Sequence, residues 1–180
     1  MNKFYIMPLN QVMLLMAVGV FAWAGMKRIV NKSKRIEKWW RYANVIMFVG
    51  AFFLIMRMTL FGRVPGEREI IWQPFYTLMT MSYNNEAVRT MVMNIVLFLP
   101  FGLTSPYVFW KLKDNFRRRF LCILLGCLLS IGVELLQYCF ALGQAEMDDV
   151  ICNTLGCGLG VFADWLGRNV NAKQVLSILS

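Results

Sequence analysis

The chain has 180 residues, of which 58% are hydrophobic and 16% charged, and its formal net charge is +9. So apolar a composition belongs to a membrane protein rather than to a soluble domain of this length. The absence of histidine excludes a haem site, the usual histidine-type zinc site and a Ser/His/Asp triad.

The first apolar run, Phe4 to Gly25, is long enough to cross a hydrocarbon core at about 1.5 Å per residue. Ala22, Trp23 and Ala24 have the small-x-small spacing of a signal-peptide cleavage site. Only Lys3 precedes the run, however, its apolar part is too long, and Lys27 and Arg28 follow at once, so it reads as an uncleaved span. A basic stretch, 27–42, holds Lys27, Arg28, Lys32, Lys34, Arg35, Lys38 and Arg41 against Glu37. The second run, Ala43 to Phe61, carries Arg57 near its far end.

The next stretch, 62–90, balances Arg63, Arg68 and Arg89 against Glu67, Glu69 and Glu86. The third run, Met91 to Trp110, contains "NIVLFLPFG". Pro100 removes a backbone donor in mid-span and predicts a kink, which Gly102 would ease. A second basic stretch, 111–119, precedes the fourth run, Phe120 to Leu142. An acidic connection, 143–149, with Glu146, Asp148 and Asp149, leads into a shorter fifth run, Val150 to Leu166.

Together these runs predict an all-α integral membrane protein of five transmembrane helices. Cations mark cytoplasmic loops, so 27–42 and 111–119 are expected inside and 62–90 and 143–149 outside. That alternation gives an outside amino terminus and a cytoplasmic tail carrying Arg168 and Lys173. The domain organisation expected is a first helix with its basic loop (1–42), a four-helix membrane unit (43–166) and a tail (167–180). The positive charge is then topology and attraction to anionic lipid, and calls for no nucleic acid.

Cys122, Cys127, Cys139, Cys152 and Cys157 are odd in number and form no C-x-x-C pair, which marks small core residues rather than disulfides or a metal site. No repeat, P-loop or cofactor motif is found, so no cofactor is expected.

The polar residues within the runs point to one place. Counted from the outer surface, Gln137 lies roughly 8 Å down, Glu134 roughly 12 Å and Asn153 roughly 6 Å, with Asn94 and Arg57 three or four residues in, so all five are expected in one outer layer. Ser130, Glu134, Gln137 and Ala141 share one helical face, as do Asp149, Asn153, Gly156 and Gly160. The small-xxx-small pair Gly156 and Gly160 should let the fifth helix pack on the polar face of the fourth, leaving room for Glu134. A carboxylate at such depth must be protonated, paired or hydrated, and Arg57 is the cation expected to pair with it. A polar network that only holds helices in register is the plain alternative.

"NIVLFLPFG", "VELLQ" with its E-x-x-Q spacing, "EMDDVICNTLGCGLG" and the earlier "IIWQPFYT" occur in an order that resembles the VanZ-like family of bacterial membrane proteins, from near Arg57 to Leu166. The resemblance implies a multi-pass envelope protein of the bacterial plasma membrane, in a family named for a member associated with resistance to the glycopeptide teicoplanin. Its shared positions fall on Asn94, Pro100, Gly102, Glu134, Gln137, Asp148, Asp149, Asn153 and Gly156. Glu146 stands where many relatives have aspartate.

Three readings remain open at this point. In the first, the polar layer binds a membrane lipid, a lipid-linked wall precursor or a lipophilic antibiotic without catalysis. In the second, Glu134 with Asp148 or Asp149 forms the acid and base of an intramembrane enzyme, or Glu146, Asp148 and Asp149 hold a hard divalent ion. In the third, the chain is a small lipid transporter, which five spans would support only as a homo-oligomer. The two aspartates equally suit the first turn of the fifth helix, where they complement its dipole.

Overall fold

The computed structural model describes residues 9–30, 34–61, 66, 68–76, 79 and 85–169. Residues 4–8 of the first expected span, Arg63 and Glu67 of the outer stretch, and Lys173 of the tail lie outside the described residues. Among the described residues five long helices carry the fold: α1 (Leu9–Val30), α2 (Lys34–Leu60), α3 (Asn85–Thr104), α4 (Asn115–Cys139) and α5 (Met147–Asn169). All five are long and apolar enough to cross a membrane, as the five runs predict. Large side chains such as Phe21, Ile46, Phe53, Leu128, Leu155 and Phe162 stand exposed on the outer faces of the helices. In lipid these faces carry no penalty.

The helix limits depart from the expected ones for local reasons. The basic stretch is mostly helix, because its Lys, Arg and Glu residues are good helix formers and α2 continues through them from Lys34. Helix α3 begins at Asn85 rather than Met91, which brings Arg89 into the helix. Asp114 caps α4 by accepting from the N–H groups of Phe116 and Arg117 at 2.8 and 3.2 Å. Helix α4 then stops at Cys139, because Ala141 turns into the left-handed region (φ 53°) and the Leu142 N–H closes on the Gln137 carbonyl at 2.8 Å. Glycine is the usual residue at such a stop, so an alanine there conceals it in the sequence.

The core is a packing of α3, α4 and α5. A Cβ built on Gly156 would fall on the backbone of Ile95, and one on Gly160 on the backbone of Leu99, Gly102 and Leu103. The two helices therefore run in the same direction in backbone contact. Cys157 wedges between Gly102 of α3 and Gly126 of α4, where an added Cβ would meet its Sγ at 2.5 Å. Two expectations need correction here. The glycine pair opens α5 to α3, not to α4, and Gly102 is required by that close approach rather than by a bend.

Helix α3 passes Pro100 and continues to Thr104, whose Oγ1 donates to the Pro100 carbonyl at 2.8 Å. A 3-10 turn, Ser105–Tyr107, extends it, with Ser105 Oγ donating to the Gly102 carbonyl at 3.0 Å. Cys122, Cys152 and Cys157 are buried as small core residues, whereas Cys139 is exposed at the end of α4; all five thiols are free. Helix α1 joins the bundle through Trp23, whose indole N–H donates to Asn44 Oδ1 at 3.0 Å. Asn44 in turn donates to the Trp40 carbonyl at 2.9 Å, so α1 is latched to α2 near its basic end.

Candidate functional site

At the other end of the bundle the two stretches expected outside fold onto each other. Strand β1 (Glu69–Ile71) pairs in parallel with β2 (Gln144–Glu146), with Glu69 opposite Gln144 and Ile71 opposite Glu146. Gln144 Nε2 bonds the Glu69 carboxylate, Gly66 N–H donates to the Ala141 carbonyl at 2.7 Å, and Arg68 donates to the Cys139 carbonyl at 3.3 Å. This small sheet delivers the chain into α5, so Asp148 and Asp149 fall in its first turn, where the helix dipole favours acids.

Two carboxylates fasten the sheet and its loop to the bundle. Asp148, 4% exposed, accepts the Phe75 N–H at 2.6 Å. Phe75 has φ 63°, a backbone conformation that a bulky residue adopts only when its surroundings impose it. Glu134, 7% exposed, accepts the Glu146 N–H at 3.1 Å, tying α4 to the end of β2. The loop above them presents exposed Trp72, Phe75 and Tyr76, an apolar lip beside a buried acidic rim.

Other polar side chains cross between helices. Gln137, 2% exposed, donates to the Thr59 carbonyl of α2 at 3.1 Å. Asn153 donates to Ser130 Oγ at 2.9 Å, which joins α5 to the polar face of α4 as its spacing suggests. Gln137 Oε1, Asn153 Oδ1 and Asn94 Nδ2 are buried without a hydrogen-bond partner among the described residues. Buried amide atoms of this kind need a partner such as water or a ligand.

The expected single layer resolves into two tiers. Because Ile95 lies against Gly156 in parallel helices, Asn94 is level with Leu155, roughly 9 Å below Asp149 at 1.5 Å per residue. Asn153 and Ser130 stand between, so Asn94 belongs with these two and Glu134 and Gln137 with the acidic rim.

The expected partnership of Arg57 and Glu134 is not formed. Arg57 is exposed on α2 and its Nη1 donates to the Phe61 carbonyl of its own helix end at 3.2 Å. A long cation near a helix C-terminus meets free carbonyls and the negative end of the dipole there without desolvation, which outweighs reaching into the bundle. By the same alignment of α3 with α5, half-buried Arg89 lies level with Val150, next to the acidic rim. Among the described residues no group of three or more acidic or cysteine side chains is placed to hold a metal ion, so Glu146, Asp148 and Asp149 do not converge as a metal triad. Asp148 is directed at Phe75 and Glu146 lies at the end of a strand.

Nothing in the sequence singles out Thr59, which contributes only a backbone carbonyl. Phe75 is visible within "IIWQPFYT", but its strained backbone and its bond to Asp148 are not.

Five apolar helices packed closely through glycines around a core that includes Ile55, Phe98 and Phe101, with a buried acidic rim at one end and cations gathered at the other, define an α-helical multi-pass membrane protein. The chain belongs to the VanZ/LLP1 family, whose profile matches residues 39–167. It is 37% identical over 88 residues to Protein VanZ of Enterococcus faecium, a stretch that makes up 48% of this chain and 52% of that protein. The chain thus spans about half the length of the curated relative it matches. No solved structure matches it.

Proposed function

We propose that the chain is a VanZ-like envelope protein of the bacterial plasma membrane whose acidic end faces outward and takes up an amphiphile of the outer leaflet, lowering susceptibility to teicoplanin. The orientation rests on the positive-inside rule, since Lys27, Arg41, Lys111, Lys113 and Arg117 to Arg119 cluster at the opposite end. The amphiphile is a lipid, a lipid-linked wall precursor or the lipophilic antibiotic itself.

One observation carries this reading. The Phe75 N–H bond to Asp148 sets an exposed aromatic lip beside a buried acid, at the end of the bundle where Gln137 Oε1 and, deeper, Asn153 Oδ1 and Asn94 Nδ2 are buried without a hydrogen-bond partner among the described residues. An apolar rim around convergent polar groups is the usual form of a small-ligand site, and it demands no leaving group or metal. The likeness to Protein VanZ supports the glycopeptide part of the proposal.

The test is the teicoplanin minimum inhibitory concentration, with vancomycin as comparator, in susceptible cells expressing wild type, Asp148→Ala or Glu134→Ala at matched membrane levels. A rise with wild type that is selective for teicoplanin and lost in both variants supports the proposal. No rise with wild type removes teicoplanin resistance as the role.

A further inference from the structure

The basic end of the bundle holds a cavity of about 180 Å³, several times the room one water needs. Every one of the five helices or its adjoining turn reaches it. Lys27 comes from the end of α1, Glu37 and Arg41 from the start of α2, Tyr107 from the turn after α3, Arg118 from the start of α4 and Arg168 from the end of α5. Among the described residues four cations therefore face one another across it, against a single lining carboxylate.

Their placement is not that of a solvated surface. Lys27 is 3% exposed. Its ammonium sits 5.1 Å from the centre of the Tyr107 ring, while the Arg168 guanidinium sits 4.8 Å from the centre of the same ring. Arg41 is held 4.3 Å from the Trp110 ring centre. Arg168 is ion-paired with buried Asp164 at 2.6 Å. Among the described residues no carboxylate is ion-paired with Lys27, Arg41 or Arg118. Arg118 Nε and Arg168 Nη2 are buried without a hydrogen-bond partner among the described residues.

Counting Glu37 and Asp164 against the four cations leaves an excess of positive charge in a partly enclosed space, where like charges repel strongly. Rings can share cations but do not neutralise them. The complement that would satisfy such a group is a compact anion with several acceptor oxygens, and guanidinium groups suit phosphate in particular.

We propose that this cavity is an anion site that takes one phosphate group, carried by an anionic lipid headgroup or by a soluble phosphate ester. Tyr107 and Trp110 line it, Trp23 packs on Tyr107 and Trp40 on Trp23, a grouping of amphipathic rings of the kind found at a headgroup boundary. The site lies at the opposite end from the acidic rim and does not depend on what that rim binds.

Native mass spectrometry of the full chain in a non-ionic detergent tests it, with separate titrations of phosphatidylglycerol, phosphatidylcholine and glycerol phosphate. Wild type should retain one phosphatidylglycerol in preference to phosphatidylcholine. Lys27→Gln and Arg118→Gln should each weaken that binding about tenfold, the scale of one lost charge-assisted hydrogen bond. Lys111→Gln, which removes a cation outside the cavity, should leave it within about twofold. Retention of glycerol phosphate alone, with the same dependence on Lys27 and Arg118, assigns the site to a soluble phosphate ester. Binding that is equal in wild type and both cavity variants, or equal for the two lipids with no glycerol phosphate binding, overturns the proposal. Should either variant fail to fold, the paired replacement Arg168→Gln with Asp164→Asn removes one charge of each sign and retests the cavity.

Discussion

Phe75 and Asp148 are joined across the acidic end by a hydrogen bond of 2.6 Å from backbone N–H to carboxylate, which binds the loop after β1 to the first turn of α5. The bond holds Phe75 at φ 63°, so its removal releases strain as well as a contact. Asp148→Ala should lower stability by about 1.5–3 kcal/mol, the range for a hydrogen bond to a charged group. The loop should become sensitive to protease in sealed membranes while the five helices persist. Limited proteolysis followed by mass spectrometry reads this directly, and an uncut loop would show that the strands hold it without Asp148.

The α3 and α5 backbones touch through Gly156 and Gly160. Gly156→Leu or Gly160→Leu must push the helices apart, because the obstacle is backbone rather than a movable side chain. Each should destabilise by about 3 kcal/mol or more, at the severe end of overpacking, and should prevent accumulation in membranes. Gly158→Ala faces open space and should leave membrane levels unchanged. Immunoblots of membrane fractions, with thermal unfolding in detergent for any variant that accumulates, distinguish the two classes.

Ser130 and Asn153 meet at 2.9 Å inside the bundle. Hydrogen bonds between membrane helices are weak on average, because the separated helices find other partners. A double-mutant cycle with Ser130→Ala and Asn153→Ala should therefore give a coupling of about 0.6 kcal/mol and not above about 1.7 kcal/mol. A larger value would mean that the pair is held by something more than its own bond.

The five helices are legible in the sequence because an unbroken apolar run of about twenty residues matches the thickness of a bilayer and satisfies its own backbone there as a helix. The balance of cations separates the two ends. Glu134, Gln137 and Asn153 are legible as inward-facing because their spacing matches a helical face and exposure to lipid is costly. The partners are harder to read. Arg57 is the sole cation within the expected spans and so suggests itself as the counter-ion, yet a residue near a helix end can satisfy carbonyls of its own turn. Arg89 stays hidden because α3 begins six residues before the apolar run does. The glycine pair announces a close approach but not its target, since helix pairing is a property of the whole bundle. Backbone donors and acceptors, such as Phe75 N–H and the Thr59 carbonyl, leave no trace in side-chain identity.

Orientation can be tested with single cysteines. Gln144 is exposed in β2 and Lys113 is exposed between the turn after α3 and the start of α4. With Cys139 replaced by serine, Gln144→Cys should react with a membrane-impermeant maleimide in intact cells, and Lys113→Cys should react only after permeabilisation. The native Cys122 and Cys157 are buried and should stay unlabelled until the protein is denatured. The reverse pattern would place the acidic end in the cytoplasm and remove the outer-leaflet site.

Glu134→Gln separates a binding role from a proton-transferring one. Glu134 accepts the Glu146 N–H through a carboxylate oxygen, and the glutamine amide oxygen can accept the same bond in nearly the same volume. If Glu134 serves to hold the rim together and shape the amphiphile site, the variant should keep most of any teicoplanin protection that wild type gives, within about threefold, because the hydrogen bond to Glu146 is kept and only its charge assistance is weakened. If it acts as a general acid or couples transport to protons, the amide cannot titrate and protection should vanish, even with normal accumulation. Glu134→Ala is the necessary companion, since it leaves the Glu146 N–H without its acceptor and should lose protection under either role. Retention in the glutamine variant with loss in the alanine variant identifies a structural carboxylate; loss in both, at matched membrane levels, shows that the charge or the proton of Glu134 is needed and turns the acidic rim into a candidate active site.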